Sequence, residues 1–191
     1  MDDRYPGAII RSVGSRSPRI HPSAWVAPNA CIIGDVEIGP EASVWYNCVL
    51  RADHNRIVIG ARSNIQDGSI IHVEGADMHP PEGLATIVGS EVLVGHMAVL
   101  HGCTLADRAF VGMGAVVMDR CRIESDAMLA AGALLAPGKV MPERQLWSGR
   151  PATMRRDLSD TEVSAMSRGV AHYVENATLH RDKSAPWTQN G

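Results

Sequence analysis

An aliphatic residue recurs every six positions through most of this chain. Written as aliphatic, often Gly or Ala, two variable, small, variable, the units read IIGDVE, IGPEAS and VWYNCV from Ile32. IGARSN and IQDGSI follow from Ile59, then VGSEVL and VGHMAV from Val88. A five-residue unit, LHGCT, starts at Leu100, and the phase of six resumes with LADRAF, VGMGAV, VMDRCR, IESDAM, LAAGAL and LAPGKV. The repeat ends near Val140. Such a period fits neither the 3.6 of a helix nor the alternation of a half-buried strand. Short strands separated by bends satisfy it. Three units closing a triangular coil of eighteen residues turn each aliphatic inward, stacked on the one a coil below. The predicted fold class is therefore an all-β solenoid, a parallel β-helix of hexapeptide repeats. A core of stacked aliphatics also accounts for a single Phe in a chain that is 45% hydrophobic, since ordinary cores draw on aromatics for buried area.

The segments outside the repeat complete the expected organisation. Residues 1–19 form an N-terminal segment, 20–145 the β-helix, 146–185 a connecting segment and a C-terminal α-helix packed on the coil, and 186–191 a flexible tail. HVEGADMHPPEGLATI cannot be repeat, because it carries Gly75, Pro80, Pro81 and Gly83, and it reads as a protruding loop at about residues 73–87. Ser159 and Glu162 make a capping box. Val163, Met166, Val170, Tyr173 and Ala177 then recur at helical spacing, so an amphipathic helix covers about residues 160–181. The GMG at Gly112–Gly114 lies in the repeat phase with no helix after it, which excludes a phosphate loop.

Net charge of -3 and a pI near 6.2, with no run of Lys or Arg, exclude the electrostatic footprint of a nucleic-acid binder. No segment approaches the roughly 20 apolar residues of a membrane span, and the N-terminus lacks a basic stretch followed by an apolar one. The expected compartment is cytoplasmic and the expected partners are a small molecule and further copies of the chain. The four cysteines, Cys31, Cys48, Cys103 and Cys121, have no CxxC spacing, which argues against a disulfide framework or a thiolate zinc site.

Counting by units assigns the chemistry-bearing residues to faces. If Ile71 starts face A, then Ile65 starts face C, Ile59 face B, and Leu50 face A again after a three-residue slip expected at Asn55 to Val58. With eleven residues added by the loop, Val88 starts face B, Val94 face C and Leu100 face A. His72 and His101 then occupy the same place on face A one coil apart, at about 4.8 Å, and can share a metal. His96, five extended residues before His101, lies about 16 Å away at about 3.3 Å per residue. A catalytic zinc commonly takes three His plus water, so a third ligand has to come from face C of a neighbouring subunit. A threefold ring supplies it at every interface. The same count puts Asp67 one coil below His96 and Arg51 one coil below His72, facing each other across that interface as an ion pair, with Gln66 and Asn64 beside them.

LRADHNRIVIGARSNIQDGSIIHVEG, followed by VGHMAVLHGCT and VGMGAVVMD, resembles the gamma-class carbonic anhydrase family over about residues 20–175. The shared features are RxD, NxQD, a His five residues after that Asp, and HxxxxH. The resemblance implies a left-handed β-helix, a homotrimer, and zinc or ferrous iron bound by His72 and His101 of one chain and His96 of another. Arg51, Asp53, Asn64, Gln66 and Asp67 match the family's active-site positions. It also implies reversible hydration of carbon dioxide to bicarbonate by a metal-bound hydroxide, with Gln66 orienting the water. Members with a long acidic loop carry a glutamate proton shuttle three residues after the first ligand; that position here is Gly75, and His54, Glu74 and His79 are the substitutes at hand. The alternatives are a thioesterase using the same metal, a hexapeptide-repeat acyltransferase using a lone His as base, and a non-enzymatic assembly module stapled by zinc.

Overall fold

A computed structural model describes residues 4–76 and 81–184. The chain is a parallel β-solenoid of left-handed, hexapeptide-repeat type closed by one C-terminal helix. His79 and the tail 186–191 lie outside the described residues.

The three inward stacks follow the sequence phase. Ile32, Leu50, Ile71, Leu100, Val117 and Leu135 stack on face A, all fully buried, and Ile38, Ile59, Val88, Leu105, Ile123 and Met141 do so on face B. Val26, Val44, Ile65, Val94, Val111 and Leu129 fill face C. Each such side chain contributes about 1.5–3 kcal/mol on leaving water, so the stack itself carries the fold. Face C is an 8-stranded sheet. Faces A and B merge into one 12-stranded sheet, because Cys31–Ile38 and Val49–Ile59 run unbroken around the A–B corner.

That corner is where the repeat count is broken. Gly34 pairs with Ala52, and the next pair is Asp35 with Arg56. The three extra residues are therefore Asp53, His54 and Asn55, not the expected Asn55 to Val58. Sequence phase alone located the slip only between Leu50 and Ile59, since both aliphatics keep their places wherever the bulge falls. The second insertion is narrower than 73–87: Val73 is buried, Glu74 bridges to Leu84, and Thr86–Val88 is a face B strand. Asn55 Nδ2 reaches the carbonyls of Glu74 (3.3 Å) and Glu82 (3.2 Å), tying both ends of this loop to the bulge.

Both ends of the solenoid hold strands outside the predicted repeat. Ile9–Arg11 pairs with Cys31–Ile33 at the N-terminal end. Gln145–Gly149 and Ala152–Asp157 form an antiparallel pair on face C, where 146–185 was expected to begin with a connection. A strand that turns back does not continue the six-residue phase.

The helix, α1, spans Asp160–Lys183 with Ser159 as N-cap and the reciprocal Ser159–Glu162 capping box in place. Met166, Val170 and Ala177 are buried against face C. Trp25, Trp45 and Tyr46 form an aromatic cluster with the helix's own His180, locked by a 2.9 Å bond between Tyr46 Oη and His180 Nδ1. Removing the cap leaves helix N–H groups unpaired, so Ser159→Ala should cost about 1 kcal/mol in a denaturant melt.

Candidate metal centre

The register brings the face A histidines together. His101 pairs with His72, and Arg51 with His72 on the other side. His72 Nδ1 and His101 Nε2 stand 3.1 Å apart, with ring centroids at 5.1 Å. Two nitrogens on one tetrahedral zinc at about 2.0–2.1 Å are about 3.3 Å apart, so this spacing fits a shared divalent ion.

The other nitrogen of each ring is held by a carboxylate. His72 Nε2 lies 3.1 Å from Asp53 Oδ1, and His101 Nδ1 bonds Asp119. His96 Nδ1 lies 2.9 Å from Asp67 Oδ2. A metal-ligating imidazole commonly has such a carboxylate on its second nitrogen, which fixes the ring and its tautomer. The bulge explains Asp53: as the first extra residue past Ala52 it turns out of the ladder and reaches back to the next coil. Arg51, exposed, pairs with the far oxygen of Asp53 in its own chain.

Burial draws the His72 pKa down, and the charges of Arg51 and His101 add to this against the opposing pull of Asp53. Neutral imidazole is the form that binds a metal. Burial pushes the Asp53 carboxyl up, but bonds from Arg51 and His72 outweigh it and hold it below its ordinary range. His72 is thus biased toward the neutral ring, its Nε2 side turned to a carboxylate and its Nδ1 turned to His101.

On face C, Val94 pairs with Ile65, which sets His96 over Asp67. The remaining His96 nitrogen, Nε2, faces Tyr173 Oη of α1 at 3.5 Å. Within one chain, therefore, His96 belongs to a different constellation from His72 and His101. Asn64 and Gln66 are buried, Gln66 Nε2 donates to Asn64 Oδ1 at 3.0 Å, and Asn64 Nδ2 has no partner among the described residues. Asp67 pairs with its own chain's His96, and Arg51 with its own Asp53, so the two are already engaged before any subunit contact. All four cysteines are free, and burial pushes the Cys48 thiol up to about 12.

Sequence reasoning missed Asp119 and Tyr173. Asp119 carried a signal: like Asp67 and His96 it sits two residues after an inward aliphatic, here Val117, at the position that leaves the strand toward the corner. Tyr173 read only as helix packing. Glu74, one of the proton-shuttle substitutes, brings a carboxylate oxygen within 4.8 Å of donor atoms on His101 and Asp119. His54 is exposed, 3.9 Å from Asp53.

A β-solenoid carrying carboxylate-backed histidines on adjacent coils defines a hexapeptide-repeat protein with a candidate metal centre. Residues 17–52 match the bacterial transferase hexapeptide (six repeats) family. Gamma carbonic anhydrase 2, mitochondrial, of Arabidopsis thaliana is 41% identical over 176 residues, 92% of this chain and 63% of that protein. Gamma carbonic anhydrase 3, mitochondrial, of the same plant is 39% identical, over 92% of this chain and 68% of that protein. Among solved structures, a hexapeptide transferase family protein from Anaplasma phagocytophilum matches with TM-score 0.82 and 39% identity, covering 89% of this chain and 96% of that one. The chain belongs to the gamma-class carbonic anhydrase family. It spans just under two thirds of the first plant relatives' length. Among the described residues no helix is long and apolar enough to cross a membrane, and the relatives' mitochondrial names do not fix the compartment.

Proposed function

We propose that the chain is a metal-dependent hydro-lyase that interconverts carbon dioxide and bicarbonate at sites shared between the subunits of a homotrimer. The observation that carries this reading is the repeated carboxylate–histidine unit: Asp53 with His72, Asp119 with His101, and Asp67 with His96. Each unit leaves one ring nitrogen to bind. His72 Nδ1 and His101 Nε2 face each other on one chain, and His96 Nε2 comes from the next. Asp119 and Glu74 also bring oxygens toward His101, but Asp119 is spent on Nδ1, so it serves the ring and not the ion.

A bound zinc or ferrous ion supplies Lewis acidity that makes water acidic near neutral pH, carbonic anhydrase being the standard instance of this effect. The protein's part is positional. Gln66, fixed through its amide nitrogen by Asn64, keeps its oxygen to accept from a water. Asp53, Asp67 and Asp119 hold the imidazoles in the binding tautomer. Arg51 holds Asp53 on its own chain and reaches toward Asp67 of the neighbour across the interface.

Metal analysis of anaerobically purified protein, with carbon dioxide hydration followed by stopped flow, tests the reading. One ion per chain and hydration abolished by His101→Ala are expected. A solved Bacillus cereus structure named a putative acetyltransferase, 34% identical over 93% of this chain and 99% of that one with TM-score 0.87, favours a second reading, acyl transfer. Acyl-CoA turnover that persists after metal removal would establish that reading and overturn ours; metal-dependent thioester hydrolysis without hydration would assign the same centre to a different substrate.

Each ion ties two chains together, so native mass measurement should give a trimer whose melting temperature falls when the metal is chelated. A monomer retaining full metal contradicts the shared site.

A further inference from the structure

Beside the bulge that carries Asp53, the described residues line an open cavity of about 460 Å³. Arg16, Arg19 and Arg56 line it together with His54 and Asn55 of the bulge, and two carboxylates, Asp35 and Glu82, share its wall. The charges do not cancel. Arg19 is spent on Asp35 at 2.9 Å and Glu37 at 3.2 Å. Arg16 is anchored by one bond, Nη2 to the His54 carbonyl at 3.1 Å, which leaves the rest of its fork open. The Arg56 guanidinium has no partner among the described residues; only its backbone N–H is engaged, by Asn55 Oδ1. Among the described residues, two open guanidinium forks therefore share the cavity with Glu82 as the one lining carboxylate not already paired.

Like charges across one concavity repel, and planar guanidinium groups match the oxygens of a carboxylate or phosphate in pairs. The volume lies within the roughly 300–1,000 Å³ range of small-molecule sites, more than a lone inorganic ion fills. We infer that this cavity binds a small organic oxyanion, its anionic head between Arg16 and Arg56. The site stands independently of the proposed hydration reaction. It shares only the bulge with the metal centre: Asp53 turns to His72, while His54 and Asn55 face the cavity.

Calorimetric titration of the metal-loaded full chain at low ionic strength, with glycerol phosphate and separately with succinate, tests the site and distinguishes phosphate ester from carboxylate. One saturable site per chain is expected for at least one probe. Arg16→Gln and Arg56→Gln should each weaken it about tenfold or more. Both side chains are exposed, and unchanged melting curves would show that the variants fold. His72→Ala should bind as the unaltered chain does. Absence of saturable binding by both probes overturns the inference, as does binding lost in His72→Ala but kept in both arginine variants, which would put the anion on the metal.

Discussion

Subunits carrying His72→Ala, unfolded together with subunits carrying His96→Ala and reassembled, should regain about a quarter of the unaltered protein's metal binding and hydration activity. Each variant alone should be nearly inactive. The expectation follows from the placement of the two histidines: His72 lies in the face A register beside His101, whereas His96 lies over Asp67 on face C. In a threefold ring every site takes face A from one chain and face C from the next. A mixed ring then contains one interface where an intact His72 meets an intact His96. Random reassembly of equal amounts makes about three quarters of the rings mixed, and one site in three of those is whole, which gives the quarter. His101→Ala supplies the counter-experiment. Mixed with His72→Ala it should restore nothing, since both losses fall on the same face. Recovery in that mixture, or none in the first, would show that the ligands are divided between chains in some other way.

Gly34→Ala should destabilise the chain by about 2–4 kcal/mol and weaken metal binding as well. Gly34 has φ +82°, and a Cβ there would stand 2.1 Å from the carbonyl oxygen of Ala52. No rotamer relieves a clash between backbones. The strand Val49–Ile59 would have to move, and Gly34–Ala52 is the last pair before the bulge, so the displacement is delivered to Asp53 and through it to His72. Gly132→Ala is the control. Gly132 has φ +68° but nothing within 4 Å of the added carbon, so only the left-handed conformation is penalised, at about 1–2 kcal/mol. Denaturant melts give the two stabilities, and cobalt titration reads the metal affinity. Equal losses in the two variants, with metal affinity unchanged in both, would disconnect the bulge from the centre.

Where the phase of six is intact, the sequence is explicit about the fold. Every inward aliphatic from Ile32 to Leu135 sits where counting puts it, and the five-residue unit at Leu100 delivers Leu105 opposite Val88. His101 opposite His72 was legible for the same reason: inserted residues change the count by whole residues, and the next buried aliphatic resets the phase. What lies between two aliphatics is not phased by them. The bulge could fall anywhere between Leu50 and Ile59, and only its true position at Asp53–Asn55 turns Asp53 toward His72. Arg51 with Asp53 is likewise a pairing decided by side-chain reach after the backbone has left the ladder. Gln145–Gly149 still runs parallel, with Trp147 beside Leu129 one coil on, but an indole stands where the repeat has an aliphatic; Ala152–Asp157 escaped because a reversal of chain direction has no signature in a parallel repeat.

That reversal also limits how far the stack can extend. A solenoid of parallel coils is open at its ends, and an exposed row of N–H and C=O groups invites another chain to add on. On face C the final strand, Ala152–Asp157, runs against the others and presents Arg155, Arg156 and Asp157 to solvent. An arriving chain meets the wrong strand polarity together with fixed charge. The hairpin thus gives face C an edge ill suited to end-to-end stacking of a further parallel coil.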